Sequence, residues 1–228
     1  PLALARVLDQ SSEIYERIAL IRALAQLGDA AAGPALQRQL GTLRTRLAAI
    51  IALGKVGYRP ALSELVRSLE RDRFTSWRKA AATALGAIGG PRAVAALRRA
   101  VVRDLEPDVV AAAVEALAAS GRPVAGIRPL SGSWDCSAAA SCVMRLGRPG
   151  AVAAGRAVDL VLLLERAPAE GTTFRVSSGG KLVAERAPQT ERVLVVPLSA
   201  ALDGPLALRV AGGSPPAVER VGLRNLPR

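Results

Sequence analysis

Glycine recurs at positions 28, 57, 89 and 121, in steps of 29, 32 and 32 residues. Its surroundings recur with it. Leu24, Leu53, Leu85 and Leu117 stand four residues before each glycine, and Ala23, Ala52, Ala84 and Ala116 stand five before. Nine before come Ala19, Ala48, Ala80 and Ala112. Leu36, Leu65 and Leu97 follow the first three glycines by eight residues, and Leu40, Leu69 and Val101 follow by twelve. A period of this length marks stacked supersecondary units. Each unit buries its apolar side only against its neighbours, so the first half of the chain must fold as an array.

Each unit reads as helix, turn, helix. Ile14, Ile18, Ile21, Leu24 and Leu27 keep helical spacing in the first helix. The glycine then supplies a left-handed C-terminal residue that ends the helix without Cβ strain. The paired alanines lie on one helix face, where small side chains let neighbouring helices approach closely.

At this point a family resemblance becomes specific. Residues 45–69 (TRLAAIIALGKVGYRPALSELVRSL) and 77–101 (WRKAAATALGAIGGPRAVAALRRAV) resemble HEAT repeats. More narrowly, they are similar to the short HEAT-like repeat of the phycobilisome lyase type. The pattern is carried by Arg78, Ala80, Ala81, Ala84, Leu85, Gly86, Ile88, Gly89, Ala93, Val94 and Leu97. The resemblance covers residues 1–122. It implies a right-handed α-solenoid of helical hairpins that acts as a protein-binding scaffold. The named lyases handle bilins, but the residues themselves point to no bilin pocket. Leu4 and Leu8 precede Leu36 and Leu40 by 32 residues, so residues 1–8 read as the second helix of a unit whose first helix is absent. The chain is therefore expected to continue a longer protein upstream of Pro1.

Charge adds a surface question. The chain has 31 Lys+Arg against 19 Asp+Glu, a net +12, and only Lys55, Lys79 and Lys181 are lysines. Arginine suits bidentate contacts to carboxylate or phosphate. A GC-rich genome would raise Arg with Ala, Gly and Pro, so placement has to decide. One row, Arg17, Arg46 and Arg78, falls eleven before the first three glycines, with Val110 breaking it in the last unit, and belongs to the family pattern. Its expected role is structural, pairing with an acid or a carbonyl of a neighbouring repeat. A second row, Arg6, Arg38, Arg67 and Arg99, follows the leucines of the second helix by two and should face solvent. Two readings stand: a solvated polar face, or a positive stripe along the concave side that binds a protein or acidic polymer. In residues 71–79, RDRFTSWRK, Phe74 is expected in the core. Trp77 is expected either to reach solvent as a binding residue or to cover a repeat junction.

After Gly121 the helical period stops. Residues 123–133 read as a Gly/Pro/Ser linker. Residues 134–228 then carry strand signals. Val158–Glu165 is apolar on both parities, as a doubly buried strand requires, and residues 172–177 and 181–186 flank a glycine turn. Further strands are expected at 142–146, 192–198, 206–210 and 218–223. So many short strands in so short a segment fit an antiparallel β-sandwich. Trp134 is the only anchor there for sugar binding.

Chemistry is bounded by absence in the sequence. There is no His, which removes imidazole as general base, metal ligand or triad member. No GxGxxG after a strand, P-loop or Gly-x-Ser-x-Gly appears. Asp104, Glu106 and Asp108 read as helix-terminus carboxylates. No catalytic residue, metal site or cofactor is assigned. Cys136 and Cys142 have five residues between them and would close a small loop as a disulfide, worth roughly 2 kcal/mol on chain-entropy grounds. An oxidised pair would place the protein in the bacterial periplasm or at the cell surface, and reduced thiols in the cytoplasm. No apolar run is long enough to span a bilayer. The sequence thus predicts a non-enzymatic interaction module. The alternatives are a nucleic-acid backbone binder, or an accessory extracytoplasmic tail of a membrane-anchored hydrolase or transferase.

Overall fold

The structure is a computed structural model. It describes residues 1–121, 124, 127–130, 134–135, 142–146, 158–188, 191–198, 202, 205–211 and 216–225. The chain divides into two compact units, residues 1–101 with 108–123, and residues 102–107 with 124–228.

The first unit is a row of helical hairpins. Its helices are α1 (Leu2–Gln10), α2 (Ile14–Leu27), α3 (Gly33–Arg38), α4 (Arg46–Lys55), α5 (Leu62–Arg71), α6 (Thr75–Ile88), α7 (Pro91–Arg103) and α8 (Pro107–Ala119). Helices α2, α4, α6 and α8 are the first helices of successive units, and α1, α3, α5 and α7 the second. All four repeat glycines have positive φ, 67°, 64°, 68° and 66° at Gly28, Gly57, Gly89 and Gly121; Gly28 is left-handed helical, whereas Gly89 combines its positive φ with an extended ψ of -166°. Leu24, Leu53, Leu85 and Leu117 are all fully buried. Leu27, expected on the same apolar stripe, is 55% exposed, because it lies at the last turn beyond the packed neighbours.

The alanine rows do what their size suggests. A Cβ added at Gly54 in α4 would lie 2.7 Å from both Cα and Cβ of Ala84 in α6. At Gly86 it would lie 2.5 Å from the Cβ of Ala116 in α8. First helices of successive units therefore meet backbone to backbone, at distances that only Gly against Ala permits.

The 29-residue step has a local cause. Helices α2, α6 and α8 each begin three residues before the position of the first arginine row, whereas α4 begins at Arg46 itself. The preceding second helix ends in a 3-10 turn at Gln39–Gly41. Buried Thr45 closes the junction, its Oγ donating to the carbonyls of Gln39 (3.0 Å) and Thr42 (3.3 Å).

The second unit is a β-sandwich of antiparallel strands. One sheet has the order β1-β9-β4-β7 and the other β2-β3-β8-β5-β6. The strands are β1 (Ile127–Leu130), β2 (Trp134–Asp135), β3 (Cys142–Leu146), β4 (Val158–Leu164), β5 (Thr173–Ser178), β6 (Lys181–Arg186), β7 (Val193–Leu198), β8 (Leu206–Ala211) and β9 (Val218–Asn225). The core between the sheets draws on Leu146, Phe174, Val176 and Leu208 from one and Leu160, Leu162, Val196 and Leu223 from the other. Strand β4 is buried at every residue, as its double apolar parity requires. Gly179 (φ 54°) and Gly180 (φ 86°) form the two-residue turn of the β5–β6 hairpin, the left-handed pair that matches strand twist.

The linker expected at 123–133 needs correction. Residues 127–130 form β1, paired antiparallel with β9 from Ile127↔Arg224 to Leu130↔Val221. The strand is short, lies at a sheet edge and contains Pro129, a residue that edges tolerate. Those traits made it read as punctuation. The strands at 142–146, 158–164, 173–178, 181–186, 193–198, 206–211 and 218–225 lie within two residues of the expected bounds.

Inside this unit Asp159 on β4 stands opposite Arg224 on β9. Both are almost wholly buried, and Arg224 donates through Nε and Nη2 to Oδ2 of Asp159. Its Nη1 donates to the carbonyl of Asp104, 2.7 Å away and in the same unit.

Candidate functional site

The two arginine rows separate by role. In the first row, Arg46 at the start of α4 is half-buried. It donates twice from Nη2 and once from Nε to the Asp72 carboxylate (3.1–3.2 Å), and also to the Leu40 carbonyl and Ser68 Oγ. Arg17 donates to Gln39 Oε1, and Arg78 to the carbonyls of Asp72 and Arg73. These bonds tie each first helix to the end of a second helix. The row is structural, as its place in the pattern implied.

Arg6, Arg38, Arg67 and Arg99 are all exposed on the second helices. They are not four equivalent free cations. Arg38 grips Asp9 through Nε and Nη2, and Arg99 grips Glu70 through the same two nitrogens. In both pairs the acid lies 29 residues earlier, on the preceding second helix. No ion pair joins Arg6 or Arg67 to a carboxylate among the described residues. The row therefore alternates, with every second arginine committed to its neighbour. The Asp9 carboxylate, by accepting from Arg38 and by its charge, raises the pKa of that guanidinium.

The alternation has a second thread. Gln37 donates to Glu64 Oε1 at 3.0 Å, linking α3 to α5. Partial burial pushes the Glu64 carboxyl up, but its own backbone N–H, the donors Gln37 and Ser63 and the charge of Arg67 outweigh it. The net pKa lies below the ordinary 4.5.

Trp77 is half-buried, with contacts that reach across a repeat junction. Its ring lies 4.6 Å from that of Phe74, tilted by 58°, and the Arg46 guanidinium of the preceding unit lies 5.3 Å from its centroid. Phe74, expected in the core, is instead 38% exposed, with the Arg73 guanidinium 4.6 Å from its ring. It precedes the first turn of α6 and so falls outside the buried stripe of that helix. Arginine stacking on aromatic faces explains why both rings are tolerated there. Cys142 opens β3, whereas Cys136 lies outside the described residues, as does the side chain of Trp134.

Two overlapping stretches, residues 2–75 and 43–118, match the family model for HEAT repeats. The chain belongs to the HEAT-repeat family. No curated protein matches it. HEAT repeats are in general protein-interaction scaffolds, and the HEAT array here has the features of one: a backbone-to-backbone stack, with polar side chains of the second helices turned to solvent. Among the described residues, no group of acidic and Cys side chains is arranged to hold a metal ion, and no helix is long and apolar enough to cross a membrane. The candidate site most exposed to a partner is thus the second-helix row of the HEAT array. Sequence reasoning located its arginines but not the acids that partner half of them. The signal was present as the 29-residue offset from Asp9 to Arg38 and from Glu70 to Arg99.

Proposed function

We propose that the HEAT array is a non-enzymatic docking module that holds a protein partner, or an acidic polymer, against its second-helix row. The observation that carries this reading is the recurrence of arginine at one solvent-exposed position in four successive second helices. Arg6 and Arg67 supply the uncommitted cations. Arg38 and Arg99, held by Asp9 and Glu70, are pre-ordered and present their remaining N–H donors at low entropic cost. A partner with carboxylates at the spacing of alternate repeats would meet two cations and two anchored ion pairs. The test is charge reversal. Partners cross-linked to the wild-type chain should be lost from Arg6→Glu/Arg67→Glu, with its thermal unfolding unchanged. Retention of the same partners by that variant would remove the row from the argument.

A nucleic-acid backbone is the second reading, favoured by the net charge of +12. It predicts duplex DNA affinity that falls steeply as salt rises, and commitment of half the row to carboxylates weighs against it. The proposal also includes the Cys136–Cys142 disulfide and an oxidising compartment, the periplasm or cell surface of a bacterium. Its support is that Cys142 is not a free thiol. Mass analysis without reductant tests this: a mass two hydrogens lighter than the reduced chain is expected, and two alkylatable thiols would end it.

A further inference from the structure

Helices α4 and α6 leave a groove of about 450 Å³ between them on the first-helix side of the array. Its floor is made of small residues, Gly54, Ala80, Ala84 and Ala87, and its α4 wall of Leu47 and Ile51. Ile51 is 44% exposed. The groove follows from the close helix approach described above: where Gly54 meets Ala84, no side chain is large enough to fill the space above them. An open apolar trough with polar edges is a feature of interaction surfaces.

The edges are specific. Lys55 stands on the α4 wall and Lys79 on the α6 wall, both exposed. They are two of only three lysines in a chain whose other cations are arginines. Among the described residues, no carboxylate lines the groove. The two helices run in the same direction, because Arg46 lies by Trp77 at one end and Gly54 by Ala84 at the other. Lys79 is therefore offset from Lys55 by about six residues of helical rise, roughly 9 Å, on the opposite wall.

We propose that this groove docks an acidic amphipathic helix of a protein partner. Carboxylates five or six residues apart on a helix fall about 120–140° apart around its axis. That places one on each flank of an apolar stripe, where each meets one lysine while the stripe fills the trough. A single fatty-acid chain has one anionic group and would leave one lysine unmatched and its flank open to water. The site uses the other row of helices and does not rest on the arginine-row reading.

The test is a display selection of helical 14-residue peptides on the full chain, with the best peptide then synthesised and titrated. Enriched sequences should carry an apolar stripe and acids five or six residues apart. The peptide should lose at least tenfold in affinity against Lys55→Glu/Lys79→Glu, and again against Thr83→Trp, which fills the trough from an exposed position. The charge-reversal pair serves alone if the tryptophan variant fails to fold. Enrichment of peptides without acids, no enrichment at all, or equal binding to the charge-reversed chain would overturn the proposal. So would saturation of the groove by dodecanoate with no peptide selected. Loss of the peptide on Arg6→Glu/Arg67→Glu alone would move binding to the second-helix row, sinking the groove proposal while leaving the scaffold reading standing.

Discussion

Replacing Gly54 by Ala sets two effects of known sign against each other. In a helix interior alanine is favoured over glycine by about 1 kcal/mol, so propensity alone predicts a more stable protein. The new methyl, however, would sit 2.7 Å from Ala84 Cα, a backbone atom that cannot rotate away. Ordinary carbon contacts lie near 3.5–4.0 Å, so α4 and α6 must part by roughly 1 Å. A gap of that size forfeits a quarter to a half of each contact's attraction along the junction, and overpacked cores lose typically 1–3 kcal/mol. The net expectation is a loss of about 1–2 kcal/mol. Urea unfolding followed by circular dichroism at a helical wavelength measures it. Gly41→Ala is the control, because a Cβ there meets nothing within 4 Å. Adding Ala84→Gly removes only the Cβ part of the clash and itself costs about 1 kcal/mol in helix propensity, so the double variant should lose less than the sum of the two single losses, a coupling that propensity cannot produce. A more stable Gly54→Ala protein with no coupling to position 84 would refute the close-contact argument.

Three further outcomes follow from the ion pairs. Arg46→Ala should cost about 2–3 kcal/mol, since it strips several bonds from partly buried Asp72, whereas Arg38→Ala and Arg99→Ala, on exposed pairs, should each stay within about 1 kcal/mol; denaturant midpoints compare them directly. Asp159→Ala should destabilise the sandwich by about 3–5 kcal/mol by removing the carboxylate that balances the buried Arg224 charge, and Asp159→Leu/Arg224→Met should recover most of that loss in thermal melts. Glu64 has a folded pKa below its ordinary value, so its stabilising contribution is complete above about pH 4.5 and fades as pH falls through the folded pKa; Glu64→Gln should flatten the acid limb of the stability profile by lowering stability at neutral pH, with little change below the folded pKa.

What could be read from the sequence was local or periodic. Helix ends at Gly28, Gly57, Gly89 and Gly121 follow from the positive φ that glycine reaches freely. Strand β4 follows from apolar residues on both parities. What was missed depends on distant neighbours. The Asp159–Arg224 pair joins residues 65 apart, and a lone Asp within VDLVLLL was its only local trace. The Asp9–Arg38 and Glu70–Arg99 pairs share a 29-residue offset in the sequence, but that offset acquires a meaning only once adjacent second helices are aligned in space. Phe74 was misplaced because hydrophobicity identifies residues that favour burial, not whether a helix start offers them a pocket. The position of each row on the array was legible, then, but the state of charge along it was not.

The late start of α4 gives this repetitive surface an address. Uniform arrays offer every partner several equivalent seats, one repeat apart, and so bind in sliding registers. Here one first helix lacks its opening turn while its neighbours keep theirs, so a ligand lying along the array meets a different landscape at each step. A ligand that places a bulky group at that shortened helix is held in one frame only. A three-residue insertion between Thr42 and Thr45, restoring the 32-residue period, would then leave affinity largely intact while letting the ligand occupy more than one seat.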